Sequence, residues 1–242
     1  PNYFATSDVL AKYSEKVRVI PIGMAESTYP QPTREVSRAM RQRHGEGFFL
    51  FIGVMRYYKG LHILLDAVQD TDLQVVIAGA GPVEHELKEH ARRLGLNNVR
   101  FVGQVSDEEK MALLRLARGV VFPSCLRSEA FGLTLLEGAM QGRPLISTEI
   151  GTGTTYVNKD GESGIVVPPA DPRRLREAMQ RLAQNPDLAE RLGKGARKRY
   201  ESHFTGELMG RRYAELYKEL LEVSGEREES RERKESALQT PQ

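Results

Sequence analysis

The most distinctive chemical feature of the sequence is a pair of glutamates, Glu129 and Glu137, with seven residues between them in the segment SEAFGLTLLEGAMQG. The pattern predicts that Glu129 lies just before a helix and Glu137 about two turns inside it, which separates them by about 12 Å. That separation is comparable with the distance from a sugar, through a diphosphate, to a ribose. One carboxylate can then bind sugar hydroxyls and the other ribose hydroxyls. The spacing alone favours two solvated glutamates on an amphipathic helix, so this interpretation depends on context.

The context is the start of the same helix, which follows an apolar strand predicted at 119–122. Free N–H groups near Phe131, Gly132 and Leu133, together with the positive end of the helix dipole, favour a diphosphate. Gly132 also lets the backbone approach a ligand closely. Open α/β sheets bind ligands at the carboxyl ends of their strands, where this segment is predicted to lie. The sequence therefore predicts a phosphate-binding site between the two glutamates.

A second set of candidates lies in FIGVMRYYKGL, where a strand is predicted to end at Gly53 and a helix to begin near Lys59. Arg56 and Lys59 then project from a β–α loop. The planar guanidinium and the compact ammonium both suit a diphosphate. The same two residues fit equally well as surface cations, so this motif alone does not decide between the two interpretations.

Four other site classes are disfavoured. In AGAGP the third glycine of a dinucleotide fingerprint is replaced by Glu84, and no phosphate-binding P-loop is present. The acidic segment 70–72 precedes a predicted strand, so we interpret it as a turn at the wrong end of the sheet for a metal-dependent glycosyl donor site. One cysteine and five histidines show no zinc-ligand spacing. Those five histidines are His44, His62, His85, His90 and His203. We therefore expect metal-independent chemistry without a cofactor.

Composition constrains the partners and the cellular compartment expected for the protein. Lys and Arg number 35 against 33 Asp and Glu, and a net charge of +2 gives no reason to expect nucleic acid as a partner. The single cysteine, Cys125, fits a reducing compartment, so we expect a cytoplasmic protein. No apolar run approaches the roughly 20 residues that a spanning helix needs. The chain begins at Pro1, and 17–22 already resembles a strand, so we expect a longer protein to precede it.

Periodicity predicts a doubly wound, Rossmann-like α/β fold with a parallel sheet. Short apolar strands alternate with amphipathic helices, as in a sheet covered on both faces. Ser106 with Glu109 forms a capping-box pattern at one helix start. The predicted strands are 48–53, 73–79, 99–102, 119–122, 144–147 and 164–167, and carboxyl-terminal helices are predicted at 171–184, 186–200 and 207–221.

Taken together, VRVIPIG, FIGVMRYYKG, VVIAGAGP, VRFVGQVSDEEK, the Glu129 to Glu137 segment and GESGIVVPPADP resemble the carboxyl-terminal domain of family 4 glycosyltransferases. This family has the two-domain GT-B fold and transfers sugars with retention of configuration. The resemblance runs from about Ser7 to Leu221, in the family's order and spacing. It implies three segments: the end of an amino-terminal domain and a linker at 1–30, a nucleotide-sugar-binding domain at 31–222, and a tail at 223–242. The charged tail is predicted to be disordered, with a partner-binding helix as the alternative.

The resemblance also implies roles for individual residues. Glu129 would contact the donor sugar and Glu137 the ribose, while the amides of Phe131, Gly132 and Leu133 would face the sugar and phosphates. Gly53, Arg56 and Lys59 would line the diphosphate site, and the loop from Gly103 to Val105 would border the base. Two positions depart from the family pattern. Val54 replaces the usual phosphate-binding arginine, for which Arg56 would substitute, and Met24 replaces an aspartate.

The function implied is that of a donor domain of a retaining hexosyltransferase, with Glu129, Lys59 and Arg56 as catalytic residues. The donor would be a nucleotide-diphosphate sugar, and the Arg-Tyr-Tyr-Lys-Gly stretch favours GDP-mannose. The acceptor, a glycan or lipid-linked glycan in polysaccharide synthesis, would bind the missing amino-terminal domain, without which this chain would be inactive. The full-length enzyme would be cytoplasmic, with peripheral association at the inner face of the membrane as an option. The alternatives are a non-catalytic nucleotide-sugar sensor or scaffold, and a sugar-nucleotide epimerase or phosphorylase of similar fold.

Overall fold

Six parallel strands form the sheet at the centre of the fold. The computed structural model describes the backbone of residues 7–238 and the side chains of residues 7–222. The spatial order of the strands is β3-β2-β1-β4-β5-β6. Each of the six strands predicted between residues 48 and 167 is present, with ends that differ from the prediction by two residues at most. The strands are Phe49–Ile52 (β1), Val75–Ala78 (β2), Val99–Gly103 (β3), Gly119–Phe122 (β4), Leu145–Thr148 (β5) and Gly164–Val167 (β6).

Helices cover both faces of the sheet, which confirms the predicted doubly wound, Rossmann-like fold. Short 3-10 helices occur at Ser14–Lys16, Glu26–Thr28 and Tyr57–Lys59. The α-helices are Asp8–Ala11 (α1), Arg34–His44 (α2), Leu61–Val68 (α3), Glu84–Arg93 (α4), Asp107–Leu116 (α5), Leu133–Met140 (α6), Thr154–Val157 (α7), Pro172–Gln184 (α8), Pro186–His203 (α9) and Gly206–Leu238 (α10).

The hydrophobic core has two parts, one on each face of the sheet. Apolar residues of α3, α4 and α8 pack on one face together with Phe49 and Phe51 of β1. Those of α5, α6 and α9 pack on the other face with Leu50. The connection after β1 therefore goes to one face and the connection after β4 to the other. Because β1 and β4 are neighbours, a crevice opens between their carboxyl ends, where ligands bind in folds of this type.

Local sequence signals fix the starts of several helices. Ser106 accepts a hydrogen bond from the Glu109 amide, and the Glu109 side chain accepts one from the Ser106 amide, so the predicted capping box is confirmed. Asp171 and Asn185 cap α8 and α9, each followed by proline at the first helical position. These caps satisfy N–H groups that the helices leave without partners.

One prediction about the amino-terminal end of the chain is wrong. Residues 17–22 form no strand, because no neighbouring strand in the described part of the chain offers them a ladder. The backbone of α10 continues from Gly206 to Leu238, and the disorder expected for the tail at 223–242 stays a prediction. Residues 1–6 and 239–242 lie outside the described residues.

The segment before α2 packs against α9 and α10. The Met24 amide donates to the Phe204 carbonyl at 2.8 Å, and the Tyr200 hydroxyl donates to the Met24 carbonyl at 2.8 Å. A side chain at Gly23 would lie 2.2 Å from the Thr205 carbonyl oxygen, so only glycine fits there. The domain boundary near residue 30 stays a prediction, but this packing brings the end of the segment to the crevice.

Candidate functional site

The loops that follow β1 and β4 contact each other at the carboxyl end of the sheet. Gly60 has a left-handed backbone with φ of 69°, and a Cβ there would lie 2.0 Å from the Pro123 carbonyl oxygen. Only glycine tolerates both conditions. The Cys125 amide donates to the Tyr58 carbonyl at 2.8 Å, which ties the two loops together. The contact determines which side chains meet in the crevice.

Lys59 and Glu129 form an ion pair across this contact, with Lys59 Nζ donating to Glu129 Oε2. Both side chains are largely buried, with exposures of 14% and 10%. Ser124 Oγ donates to the same carboxylate oxygen at 3.2 Å. The ammonium also lies 4.9 Å from the centre of the Phe122 ring, a favourable cation–π distance. A carboxylate has about four acceptor positions, so Glu129 can also accept hydrogen bonds from ligand hydroxyls.

The start of α6 lies beside this ion pair. Gly132 precedes the helix with φ of 92°, and no side chain caps the first N–H groups. Thr134 Oγ1 donates to the Ile52 carbonyl at 3.1 Å, which fixes the start of α6 to the end of β1. Leu133 is half exposed, whereas the Phe131 ring packs edge-on against Phe204. The backbone amides near residues 131–133 therefore remain the phosphate-binding candidates that the sequence predicts.

The placement of Glu137 differs from the prediction. The helix begins at Leu133, so Glu137 lies one turn inside it rather than two. Residues 129–132 are not helical, because Gly132 adopts a left-handed conformation that interrupts a helical path. The estimate of about 12 Å from eight helical steps therefore does not apply to the first half of the segment.

Glu137 is buried and paired with a second lysine. Lys110 Nζ, in the first turns of α5, lies 2.8 Å from Glu137 Oε1 and 2.8 Å from Asp107 Oδ1. Tyr29 hydrogen-bonds to Glu137, and its ring lies 5.2 Å from Lys110 Nζ. Each glutamate of the predicted pair thus has its own lysine, one from the loop after β1 and one from the helix after β3.

Two groups around Glu137 have shifted pKa values. Burial and the negative charge of Glu137 raise the pKa of Tyr29 to about 12. Burial lowers the pKa of Lys110, but hydrogen bonds to Asp107 and Glu137 outweigh it and raise the pKa above its usual value. Both groups therefore keep their protons at neutral pH, and the Lys110–Glu137 pair stays ionised on the lysine side.

The remaining predicted glycines and the base-bordering loop lie at the same end of the sheet. A side chain at Gly79 would lie 2.0 Å from the Gly53 carbonyl oxygen, so the ends of β1 and β2 approach closely. Gly103 accepts a hydrogen bond from the Gly79 amide at 2.7 Å and turns the chain with φ of 73°. Val105 follows it and packs partly against the core. The loop from Gly103 to Val105 leads directly into α5 and Lys110.

Arg56 takes a different position from Lys59. It is exposed and lines a cavity of about 290 Å³ between α3 and α4, together with Tyr57, His62 and His90. Lys59 does not line that cavity. The 3-10 helix Tyr57–Lys59 follows Arg56 directly. Arg56 thus lines the cavity between α3 and α4, whereas Lys59 pairs with Glu129 in the crevice.

Three residues of the site escaped the sequence reasoning: Lys110, Tyr29 and Ser124. Lys110 follows the capping box by one residue, and that box places it in the first turn of α5, facing the crevice. This signal was available in the sequence. Tyr29 and Ser124 have no such local signal, because their contacts with the glutamates depend on how separate segments pack.

No group of three potential metal ligands occurs among the described residues. Asp70, Thr71 and Asp72 form a turn before β2, at the end of the sheet opposite the two glutamates, as predicted. None of the helices in the described part of the chain combines the length and the hydropathy needed to cross a bilayer.

Comparison with known proteins gives consistent matches. Residues 33–199 match the family model described as glycosyl transferases group 1. The D-rhamnosyltransferase WbpZ of Pseudomonas aeruginosa is 58% identical over 205 residues, which cover 85% of this chain and 54% of that protein. The O-antigen chain mannosyltransferase C of Escherichia coli is 51% identical over 222 residues, covering 92% and 60%. The chain thus spans less than two thirds of the length of these relatives.

A solved structure shows the same fold. The crystal structure of HepE from Anabaena, in complex with UDP and glucose, matches with a TM-score of 0.74 and 22% sequence identity. The match covers 85% of this chain and 57% of HepE.

Proposed function

The chain belongs to the group 1 glycosyl transferases and has the α/β fold of the carboxyl-terminal half of a GT-B enzyme. We propose that its crevice binds a nucleotide-diphosphate sugar for transfer with retained configuration. The observation that carries the proposal is the meeting of Lys59, Glu129 and the uncapped start of α6 between β1 and β4. These groups offer one cation, one carboxylate and free amides at a single point.

Each group has a part in the proposed chemistry. Glu129 accepts hydrogen bonds from hydroxyls of the sugar, while Lys59 and the amides near Gly132 and Leu133 bind the diphosphate. Negative charge develops on the leaving diphosphate during transfer. A buried ammonium aimed at that charge stabilises it more strongly than water does. Lys59 is therefore the main catalytic cation of the proposal, with Glu129 fixing its position.

The second ion pair, between Lys110 and Glu137, supports the choice of nucleotide. Glu137 accepts hydrogen bonds from ribose hydroxyls. Beyond it, Lys110 and Asp107 lie next to the loop from Gly103 to Val105, which borders the base. A lysine can donate to O6 and N7 of guanine, and a carboxylate can accept from guanine N–H groups. This chemistry favours a guanosine diphosphate sugar, and GDP-mannose is our proposal in view of the mannosyltransferase relative.

The mechanism proposed needs neither a metal nor a covalent nucleophile. The acceptor hydroxyl attacks the anomeric carbon from the face that the diphosphate leaves, and a leaving phosphate oxygen takes its proton. Arg56 would assist the diphosphate only after its loop turns toward the crevice, since it now lines the cavity between α3 and α4. Lys59 acts without such a movement.

The acceptor, a glycan or lipid-linked glycan, belongs in the proposal to a region outside these 242 residues. Holding the acceptor against the donor with water excluded can contribute about 7–11 kcal/mol to lowering the barrier. The chain alone leaves the donor exposed on that side. We therefore expect it to bind donor, to hydrolyse it slowly at most, and to transfer sugar only together with an acceptor-binding domain.

Calorimetric titration with GDP and with GDP-mannose tests this proposal. Glu137→Gln should weaken both ligands, whereas Glu129→Gln should weaken GDP-mannose and leave GDP nearly unchanged. The loss of a hydrogen bond to a charged group predicts about a tenfold change or more. Glu35→Gln, on the exposed face of α2, is the matched control. Equal losses for both ligands in both variants would remove the assignment of roles.

Two further outcomes test the location of the acceptor site and the choice of nucleotide base. Robust transfer by the purified 242-residue chain would contradict the location of the acceptor site. Tighter binding of UDP-glucose than of GDP-mannose, with the same dependence on the two glutamates, would keep the site and overturn the choice of base.

A further inference from the structure

A second cavity lies at the amino end of the sheet, opposite the crevice. It has a volume of about 710 Å³ and is open on one side. Residues directly before β1, β4 and β5 line it, among them Gly47, Arg118 and Pro144. The rest of its wall comes from the end of α5 and from α9. None of its lining residues belongs to the proposed donor site.

The cavity carries more positive than negative charge. Five of its lining charges are paired: Lys194 with Glu190, Arg197 with Glu201 and with Glu26 outside the lining, and Glu46 with Arg41 outside the lining. Four cations of the wall have no carboxylate within ion-pair distance among the described residues. They are Arg115, Arg118, Arg143 and Lys198.

The three arginines are bonded only to uncharged oxygens. Arg143 donates to the Ala117 carbonyl at 3.1 Å, and Arg118 donates to the Gly47 carbonyl at 3.3 Å. Arg115 donates to the side-chain amide of Gln141 at 3.1 Å. These bonds orient the guanidinium groups without neutralising them.

Arg143 is the least satisfied of the three. Its Nε is buried and has no hydrogen-bond partner. Burial lowers the pKa of Arg143, and the nearby positive charge of Arg115 lowers it further. A buried donor without an acceptor and two like charges side by side both cost free energy. The fold therefore holds Arg143 in a position that its protein contacts do not explain.

Helix dipoles offset only part of this charge. The carboxyl-terminal ends of α5 and α6 lie at this end of the sheet, and each carries about half a negative elementary charge. The second carboxylate on Arg197 offsets one more charge, so that roughly two of the four unpaired positive charges remain. A single monovalent anion would not balance them.

We propose that this cavity is a binding site for a multiply charged phosphate anion such as a diphosphate, free or carried on a larger molecule. Guanidinium groups match phosphate oxygens with paired hydrogen bonds. Arg115, Arg118 and Arg143 converge from two strand starts and one helix end, and Lys198 adds a mobile charge from α9. The volume accommodates a diphosphate together with part of the group that carries it. The site is separate from the donor crevice and does not depend on the proposed function.

A calorimetric titration of the protein with inorganic pyrophosphate tests the site. Arg143→Gln and Arg118→Gln should each weaken binding by about tenfold or more, because each removes a charge-assisted hydrogen bond. Arg181→Gln, on the exposed side of α8 and outside the cavity, is the charge-matched control and should leave binding unchanged. Circular dichroism verifies that each variant is folded. If Arg143→Gln does not fold, Arg118→Gln with Lys198→Gln tests the same prediction on more exposed residues.

Pyrophosphate can also enter the donor crevice, so its contribution is separated by the double variant Lys59→Met with Glu129→Gln. Binding at the cavity should persist in this double variant and disappear when Arg118→Gln is added. Absence of pyrophosphate binding to the wild-type chain, or equal affinity in the wild type and both arginine variants, would overturn the proposal.

Sedimentation with vesicles distinguishes a lipid from a soluble ligand. Phosphatidylcholine vesicles with and without phosphatidic acid are compared in the wild type and in Arg118→Gln. Binding that needs both phosphatidic acid and Arg118 indicates a membrane-borne phosphate. Binding of pyrophosphate alone, with the same dependence on Arg118, indicates a soluble ligand, and both results support the site.

Discussion

The two ends of the sheet differ in whether their cations are paired with carboxylates. At the carboxyl end, Lys59 meets Glu129 and Lys110 meets Glu137, so each of these two lysines is matched by a carboxylate. At the amino end, Arg118 and Arg143 meet only carbonyl oxygens. One end is locally balanced in charge, and the other is strongly positive.

Helix dipoles explain part of this difference. The amino-terminal ends of the helices that follow β1, β3 and β4 lie at the carboxyl end of the sheet, where their positive potential stabilises glutamates. Their carboxyl-terminal ends lie at the opposite end and stabilise arginines. The dipoles do not explain why lysines accompany the glutamates while nothing accompanies the arginines. Balanced pairs fit a site that binds hydroxyls as well as phosphates, and unbalanced cations fit a site for anions alone.

The largest effect is expected from breaking the pair at the carboxyl end. Lys59→Ala leaves Glu129 charged, buried and without its lysine, which should lower the free energy of unfolding by about 3–5 kcal/mol. Urea denaturation measures this change. The double variant Lys59→Met with Glu129→Gln removes both charges and should recover most of the lost stability without recovering donor binding. If Lys59→Ala were as stable as the wild type, the ion pair would be solvated and the contrast between the two ends would disappear.

A much smaller effect is expected at the amino end. Arg143→Met loses one hydrogen bond to the Ala117 carbonyl but also removes a buried donor without a partner and the repulsion from Arg115. These contributions oppose each other, so the free energy of unfolding should change by less than about 1 kcal/mol. The same urea experiment applies, with Arg181→Met as control. A loss as large as that of Lys59→Ala would mean that Arg143 has a structural role rather than a binding role.

A third effect is absent at neutral pH, appears only at alkaline pH and concerns Tyr29 beside the Lys110–Glu137 pair. The pKa of Tyr29 is raised to about 12 from an ordinary value of 10.0, so the folded state holds this proton more tightly than the unfolded state. The stability that this contributes is fully present below pH 10 and is lost as the pH rises toward 12. Tyr29→Phe should therefore flatten the decline of stability between pH 10 and 12, and Tyr213→Phe, on exposed α10, should not.

Absorbance titration of the phenolates provides an independent measurement. The difference between the wild type and Tyr29→Phe should show one group that ionises well above pH 10. A group that ionises near 10 instead would show that Tyr29 is not in contact with Glu137.

Most of the architecture could be predicted from the sequence. Strand positions, the helical stripes and the capping box of Ser106 and Glu109 were predictable because they depend on residues within a few positions of each other. The same local reasoning placed Glu129 after a strand and Glu137 in a helix. It was wrong where a local signal needed a distant partner, as for the strand predicted at 17–22.

The partners of the two glutamates were decided by tertiary structure alone. Lys59 and Glu129 are 70 positions apart in the chain, and they meet because Gly60 lets the loop after β1 pack on Pro123. Arg56 was predicted to bind the diphosphate together with Lys59 but lines the cavity between α3 and α4. Periodicity determines which face of an element is buried. Which charged groups then share a cavity depends on how separate elements pack, and no local pattern in the sequence encodes that.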